Sequence, residues 1–303
     1  MDAWSDYWAS GAQASCLNES GENYTGAVQQ CWQTFFQQLP RCARLLDLAT
    51  GNGAIPNLAL TSQHAPDTDW RIYGVDRARA QVPVDSGWRL LSGVNMESLP
   101  FAARMFDAVT AQYAVEYGDR EPILAEVRRV LKADGYFQFV MHVDDSRVVQ
   151  QARLQLEEID CLLVQWGLFK QVSTMLELHQ SGQEQGLAQQ RQQFERQAAE
   201  AMMRVREGRD SGLLQQSLHL LGQVWQQRNR QTLEQARARL NHATGSLSSL
   251  RQRLRDLDAA CLRDSDCQDW VDACQRHGLH VATAGALKYA PDSLIAWRLT
   301  GRG

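Results

Sequence analysis

The chain has 303 residues, 44% of them hydrophobic and 22% charged, and a formal net charge of −4. That length and apolar content can bury one large core, or one core with an appended helical unit. A mildly acidic chain lacks the dense Lys/Arg face that captures phosphates, which argues against a nucleic acid partner and for a small-molecule or protein substrate.

The start, Met1-Asp2-Ala3-Trp4-Ser5-Asp6, lacks the positive residues and apolar run of a secretory signal. No later stretch supplies the roughly 20 apolar residues of a membrane span. The expectation is a cytoplasmic protein with no membrane span. The seven cysteines are odd in number and form neither a CxxC pair nor a Cys/His cluster. Cys261, Cys267 and Cys274 are the closest group, too widely spaced for metal ligation, so reduced thiols and no metal are expected.

Residues 41–143 alternate short apolar runs with amphipathic segments, the pattern of parallel strands crossed by helices. Strands are predicted at residues 44–48, 70–76, 106–111 and 136–141, with helices at 55–63 and 121–131 and a turn at Asp134-Gly135. From residue 146 to about 263, Gln, Arg, Glu, Leu and Ala dominate, which predicts a long helical insertion. Leu233, Ala236, Leu240, Ala243, Leu247, Leu250, Leu254 and Leu257 alternate steps of three and four, a heptad seam that must face another helix. Leu187, Phe194, Ala198, Ala201 and Val205 form a weaker stripe upstream, and residues 208–212 supply a turn. The simplest outcome is an antiparallel hairpin, packed on itself or paired between chains as a homodimer. A helix at residues 270–276 and strands at 279–282 and 294–299 then return to the sheet. The expected domains are an α/β domain of residues 1–145 with 264–303, and a helical insertion of residues 146–263.

The most informative segment is Leu45-Leu46-Asp47-Leu48-Ala49-Thr50-Gly51-Asn52-Gly53, a strand ending in a glycine turn that opens a helix. Such a turn approaches a ligand with its backbone, and the helix start offers unpaired N–H groups. Open α/β sheets bind ligands at this carboxyl edge. The dinucleotide fingerprint G-x-G-x-x-G fails, because Pro56 takes the place of the third glycine. Asp47 would also repel a pyrophosphate, so the turn suits a cationic ligand.

Asp47-x-x-x-Gly51-x-Gly53 resembles the first motif of class I S-adenosylmethionine-dependent methyltransferases, whose loop surrounds the methionine part of the cofactor. Tyr73-Gly74-Val75-Asp76 resembles the family's second motif, in which the acid accepts from the ribose hydroxyls. Asn95-Met96-Glu97-Ser98-Leu99-Pro100-Phe101 is similar to the adenine-holding segment, with Asn95 where the family usually has Asp. Residues 126–135 resemble the helix and turn before the fifth strand in the type 11 and quinone C-methyltransferases.

The resemblance implies a Rossmann-like, doubly wound, mostly parallel α/β sheet. It implies S-adenosyl-L-methionine as cofactor, held by Asp47, Thr50, Gly51, Asn52, Gly53, Asp76, Arg77, Asn95, Met96, Glu97 and Gln112. The function it implies is methyl transfer to a small-molecule acceptor; the alternative is a non-catalytic regulatory or assembly protein that binds the cofactor and uses its helices for a partner. The strand-end groups available to the acceptor are Gln112, Tyr113, Glu116, His142 and Asp144. His142 is the first candidate for a base, because an imidazole accepts a proton near neutrality, and Tyr113 is the second candidate at the reacting centre. Asp144 and Asp145 are read as helix caps, and Trp4, Tyr7 and Trp8 either as an aromatic lid over the site or as the packing face of an amphipathic helix on the sheet.

Overall fold

The computed structural model describes residues 3–15, 23–62, 68–80, 82–83 and 85–303. In chain order, two helices, α1 (Ala3–Ala9) and α2 (Gly26–Phe36), precede β1 (Arg44–Leu48). There follow α3 (Ala54–Thr61), β2 (Arg71–Asp76), β3 (Arg89–Ser92), β4 (Phe106–Gln112), α4 (Arg120–Val130) and β5 (Leu131–Met141). Five helices come next: α5 (Arg147–Asp160), α6 (Leu168–Gln180), α7 (Glu184–Arg206), α8 (Leu213–Gln226) and α9 (Leu233–Ala260). Then α10 (Asp264–Arg276), β6 (His280–Ala290) and β7 (Ser293–Arg302) complete the chain.

The chain divides into two compact units, Met1–Gln150 with Asp256–Gly303, and Gln151–Arg255. The first holds one seven-stranded sheet in the order β3-β2-β1-β4-β5-β7-β6. Neighbours from β3 to β5 run parallel, and β7 runs antiparallel to both β5 and β6. The order turns back at β1 and β4, so this is a doubly wound, mostly parallel sheet whose ligand crevice lies at the carboxyl ends of those strands.

β1 is buried at Leu45, Leu46, Asp47 and Leu48, the near-continuous burial of a strand covered on both faces. Leu46, Val109, Phe137, Ile123 and Val127 meet in one core layer with Trp270 and Ala273 of α10. Trp32, Phe35 and Phe36 of α2 meet Leu45, Ile55, Leu58 and Ala108 in the other. The Trp270 indole is 3% exposed, so α10 belongs to the sheet's core although it follows the helical insertion in sequence.

The sequence places β1, β2 and β4 to within a residue, whereas β6 runs eight residues and β7 three past their predicted ends, and β5 differs at its start. There the strand begins at Leu131, and the Asp134-Gly135 turn is absorbed as a bulge: Phe106 pairs with Leu131, yet Ala108 pairs with Tyr136. Neither α2 nor β3 is among the elements predicted above. The cap of α5 is Ser146, whose hydroxyl accepts from the Val149 amide at 3.3 Å, and not the Asp144-Asp145 pair.

The second unit departs from the expected hairpin. The 208–212 turn leads into α8, so a further amphipathic helix stands between α7 and the heptad helix α9. Leu168, Phe169, Val172, Met175 and Leu176 line the buried face of α6, and Leu214, Leu221 and Val224 that of α8. Three mutually packed helices, α6, α7 and α8, make this a bundle. Arg237 and Arg251 on α9 pair with Glu177 and Asp160. Among the described residues no helix is long and apolar enough to cross a membrane, and no group of three or more His, Cys, Asp or Glu is placed to hold a metal ion.

Candidate functional site

A cavity of about 470 Å³ opens in the α/β unit at the carboxyl edge of the parallel strands. Its floor begins where β1 ends. Ala49, Gly51 and Gly53 take positive φ of 47°, 53° and 86°, which turns the chain sharply into α3. Asp76, at the end of β2, is 7% exposed, and both its carboxylate oxygens are oriented: Oδ2 accepts from Gly51 N and Oδ1 from Ala78 N, each at 2.7 Å. Two amides aimed at one carboxylate fix its orientation.

Asp47 lies deeper, 2% exposed, with Oδ1 accepting from the Thr110 hydroxyl at 2.7 Å. Burial pushes its carboxyl up to about 7, and the nearby charge of Asp76 acts in the same direction, against the pull of the Thr50 and Thr110 hydroxyls. A cation placed beside these two acids would relieve both desolvation and repulsion.

The glycines have a role that the sequence does not disclose. A Cβ on Gly51 would collide with the Trp8 ring, and one on Gly53 with the Trp88 ring. Both indoles therefore pack directly against the turn. Asn52 fastens the same contact from below, its amide donating to Trp8 O and Ala12 O, each at 2.8 Å. Arg79 N donates to the Ser5 hydroxyl at 3.0 Å, a second attachment of α1. Trp4 and Trp8 stack at 6.2 Å and line the cavity, so α1 forms part of its wall. Tyr7 faces elsewhere, its hydroxyl donating to Ala14 O at 2.6 Å.

On the β2–β3 side, Arg77, Asn95, Met96 and Glu97 border the cavity. Asn95 Oδ1 accepts from Glu97 N at 3.2 Å, and Glu97 Oε1 accepts from Asp119 N at 2.9 Å, which stiffens this loop. On the β4 side stand Gln112 and Tyr113. Gln112 Oε1 accepts from Trp32 Nε1 at 2.6 Å, and its Nε2 is buried with no partner among the described residues. Buried donors on a cavity wall call for a ligand's acceptors.

Of the residues read from sequence, Asp47, Thr50, Asp76, Arg77, Asn95, Met96, Glu97, Gln112 and Tyr113 border one cavity, whereas Gly51, Asn52, Gly53 and His142 do not. His142 is 1% exposed and sits behind Tyr113, whose ring stacks on the imidazole at 4.1 Å. Its Nδ1 lies 2.8 Å from Glu116 Oε1, and that oxygen also accepts from His142 N at 2.8 Å. Glu116, not His142, borders the cavity. Tyr113 itself holds φ 54° and donates its hydroxyl to Ile295 O at 3.1 Å.

Sequence reasoning missed Tyr24, Tyr117 and Asp256 with Ala259 and Ala260, all of which border the cavity. The last three share one helical face by their spacing, a signal masked by the heptad seam that runs beside it. Nothing local marks Tyr24 or Tyr117.

Residues 46–139 match the model of a family described as a methyltransferase domain. Among solved structures, the chain is similar to the YcgJ protein from Bacillus subtilis, 26% identical over 43% of this chain and 58% of that one, with a TM-score of 0.34. The match thus spans little more than half of that protein's length. A chain from the complex of the Haloferax volcanii Trm112 methyltransferase activator is 14% identical over 100% of this chain and 98% of its own, with a TM-score of 0.47. A geranyl diphosphate methyltransferase in complex with SAM is 20% identical over 39% of this chain and 49% of its own, with a TM-score of 0.33. Among curated proteins, none matches this chain.

Proposed function

We propose that this chain, whose residues 46–139 match the model of a methyltransferase domain, is an enzyme that moves a methyl group from S-adenosylmethionine to a small-molecule acceptor. The observation that carries this reading is Asp76, buried at the end of β2 with both oxygens oriented by backbone amides on a cavity that it shares with Asp47.

The residues present fit the cofactor. Two acids at the head of the sheet suit a ligand that is positive at both sulfur and amine, and Asp76 suits a pair of vicinal hydroxyls. Gln112 Nε2, which has no partner among the described residues, supplies a donor for its carboxylate. Asn95, Met96 and Glu97 would flank the base. When bound, S-adenosylmethionine supplies an electrophilic methyl group on a sulfonium.

The chain's own work is then alignment and exclusion of water. Trp4 and Trp8 of α1 wall the cavity, and Asn52 and Ser5 hold that helix against the sheet. Tyr113 and Tyr117 confine the β4 side, which positions an acceptor in line with the methyl group. The buried Glu116–His142 pair, and not His142 alone, is the group that could take up a proton there.

The test is calorimetric. The wild type should bind S-adenosylhomocysteine, and Asp76→Ala should weaken that binding by about 1.5 to 3 kcal/mol, the value of a charged hydrogen bond. No binding by the wild type, or equal affinity in the variant, would overturn the reading.

A further inference from the structure

The β4 side of the cavity has a chemistry of its own. Its walls are aromatic: Trp4, Tyr24, Tyr113 and Tyr117, with Trp4 edge-on to Tyr117 at 5.9 Å and Tyr24 edge-on to Tyr113 at 6.4 Å. Its charges are negative. Asp256 borders it from the last turns of α9, a segment that belongs to the same α/β unit as the sheet. Leu262 N donates to His142 O at 2.9 Å, which fixes the end of that segment beside β5. Among the described residues of the lining, Arg77 is the one cation, and it stands on the opposite side, next to Asp76.

A second, independent observation is Glu116. Its side chain is fully buried, Oε1 is taken by His142, and Oε2 has no hydrogen-bond partner among the described residues. A buried carboxylate oxygen without a donor is costly unless a ligand brings one. Aromatic faces and carboxylates, with the one arginine of the described lining on the opposite side, together select a positively charged N–H donor and disfavour a carboxylate or phosphate.

Resting on the cofactor reading above, we infer that the methyl acceptor is an amine, recognised as its ammonium by the aromatic walls with Asp256 and Glu116. The bound ammonium gives one proton to Glu116 Oε2, which frees the nitrogen lone pair. That pair forms the N–C bond to the methyl carbon as the C–S bonding pair returns to sulfur. The sulfonium becomes a neutral thioether, and the positive charge ends on the methylated nitrogen.

Three probes of one shape test this on the full chain: phenethylamine, phenethyl alcohol and phenylacetate, each titrated by calorimetry into protein saturated with S-adenosylhomocysteine. The amine should bind at least about tenfold more tightly than either of the others. Glu116→Gln should bring the amine to within about threefold of the alcohol while S-adenosylhomocysteine binds as before. Asp256→Asn, on an α9 turn, is the second variant should Glu116→Gln lose its fold, and the same criterion applies. Phenylacetate binding as well as the amine, no amine binding, or full preference in a folded variant overturns the proposal. Failure of S-adenosylhomocysteine itself to bind instead overturns the cofactor reading.

Discussion

Ala49 occupies the left-handed region at φ 47°, in the turn that joins β1 to α3. An L-residue there costs about 1 to 2 kcal/mol, and glycine, free of that strain, gives back about 0.5 to 1 through the entropy of its unfolded chain. Ala49→Gly should therefore stabilise the protein by up to about 1 kcal/mol in urea denaturation, and Ala49→Val should destabilise it. Asp47 makes the opposite kind of statement, through protons. Its folded carboxyl keeps its proton to about pH 7, whereas an unfolded aspartate releases one near 3.8. Between those values the unfolded state binds fewer protons, so the stability of the ligand-free protein falls as pH rises, by on the order of a few kcal/mol. Asp47→Asn keeps an acceptor for Thr110 and removes the titration. Thermal melts should show the variant more stable than wild type at pH 8, with the advantage gone at pH 4.

At the scale of elements, α1 is a seven-residue helix that could not persist alone, and its order comes from attachment. Trp8 lies on Gly51, Asn52 holds two α1-side carbonyls, and Ser5 takes the Arg79 amide. Removing the Asn52 amide leaves two carbonyls without their donor, a loss of about 1 to 3 kcal/mol. In Asn52→Ala, hydrogen exchange across residues 3–15 should quicken by roughly tenfold or more, with the strands of the sheet unchanged. Uniform acceleration through the unit would show that Asn52 supports the whole fold and not α1 in particular.

For the whole molecule, the question left by the heptad pattern is which surface covers it. Ala236, Leu240, Leu247 and Leu254 are buried within one chain, and Arg237 and Arg251 on the same helix pair with Glu177 and Asp160. A seam already covered offers no apolar stripe to a second copy. The protein should sediment as a monomer at micromolar concentration, and a concentration-dependent dimer abolished by Leu247→Glu without loss of fold would show that the seam opens. The exposed Met202 and Met203 lie on α7 and are not part of that seam.

The sequence by itself determined the parts of the protein whose signals are local. The run Leu45-Leu46-Asp47-Leu48, the glycines after it, and Asp76 at the close of the second strand are each written within a few consecutive residues, because a strand end and a tight turn are settled by their own backbone preferences. Helical composition likewise announced the insertion. What surrounds those local features was decided only by the tertiary structure. Trp8 and Trp88 fill the space above Gly51 and Gly53, Glu116 stands between His142 and the cavity, and Asp256 arrives at the cavity from beyond the inserted helices. The helix α8 turned an expected hairpin into a bundle, since a stripe of apolar residues requires a partner without naming it. Packing joins segments that no short window contains, so the chain's pattern specifies where the strands end and turn, and the fold specifies which side chains gather around those ends.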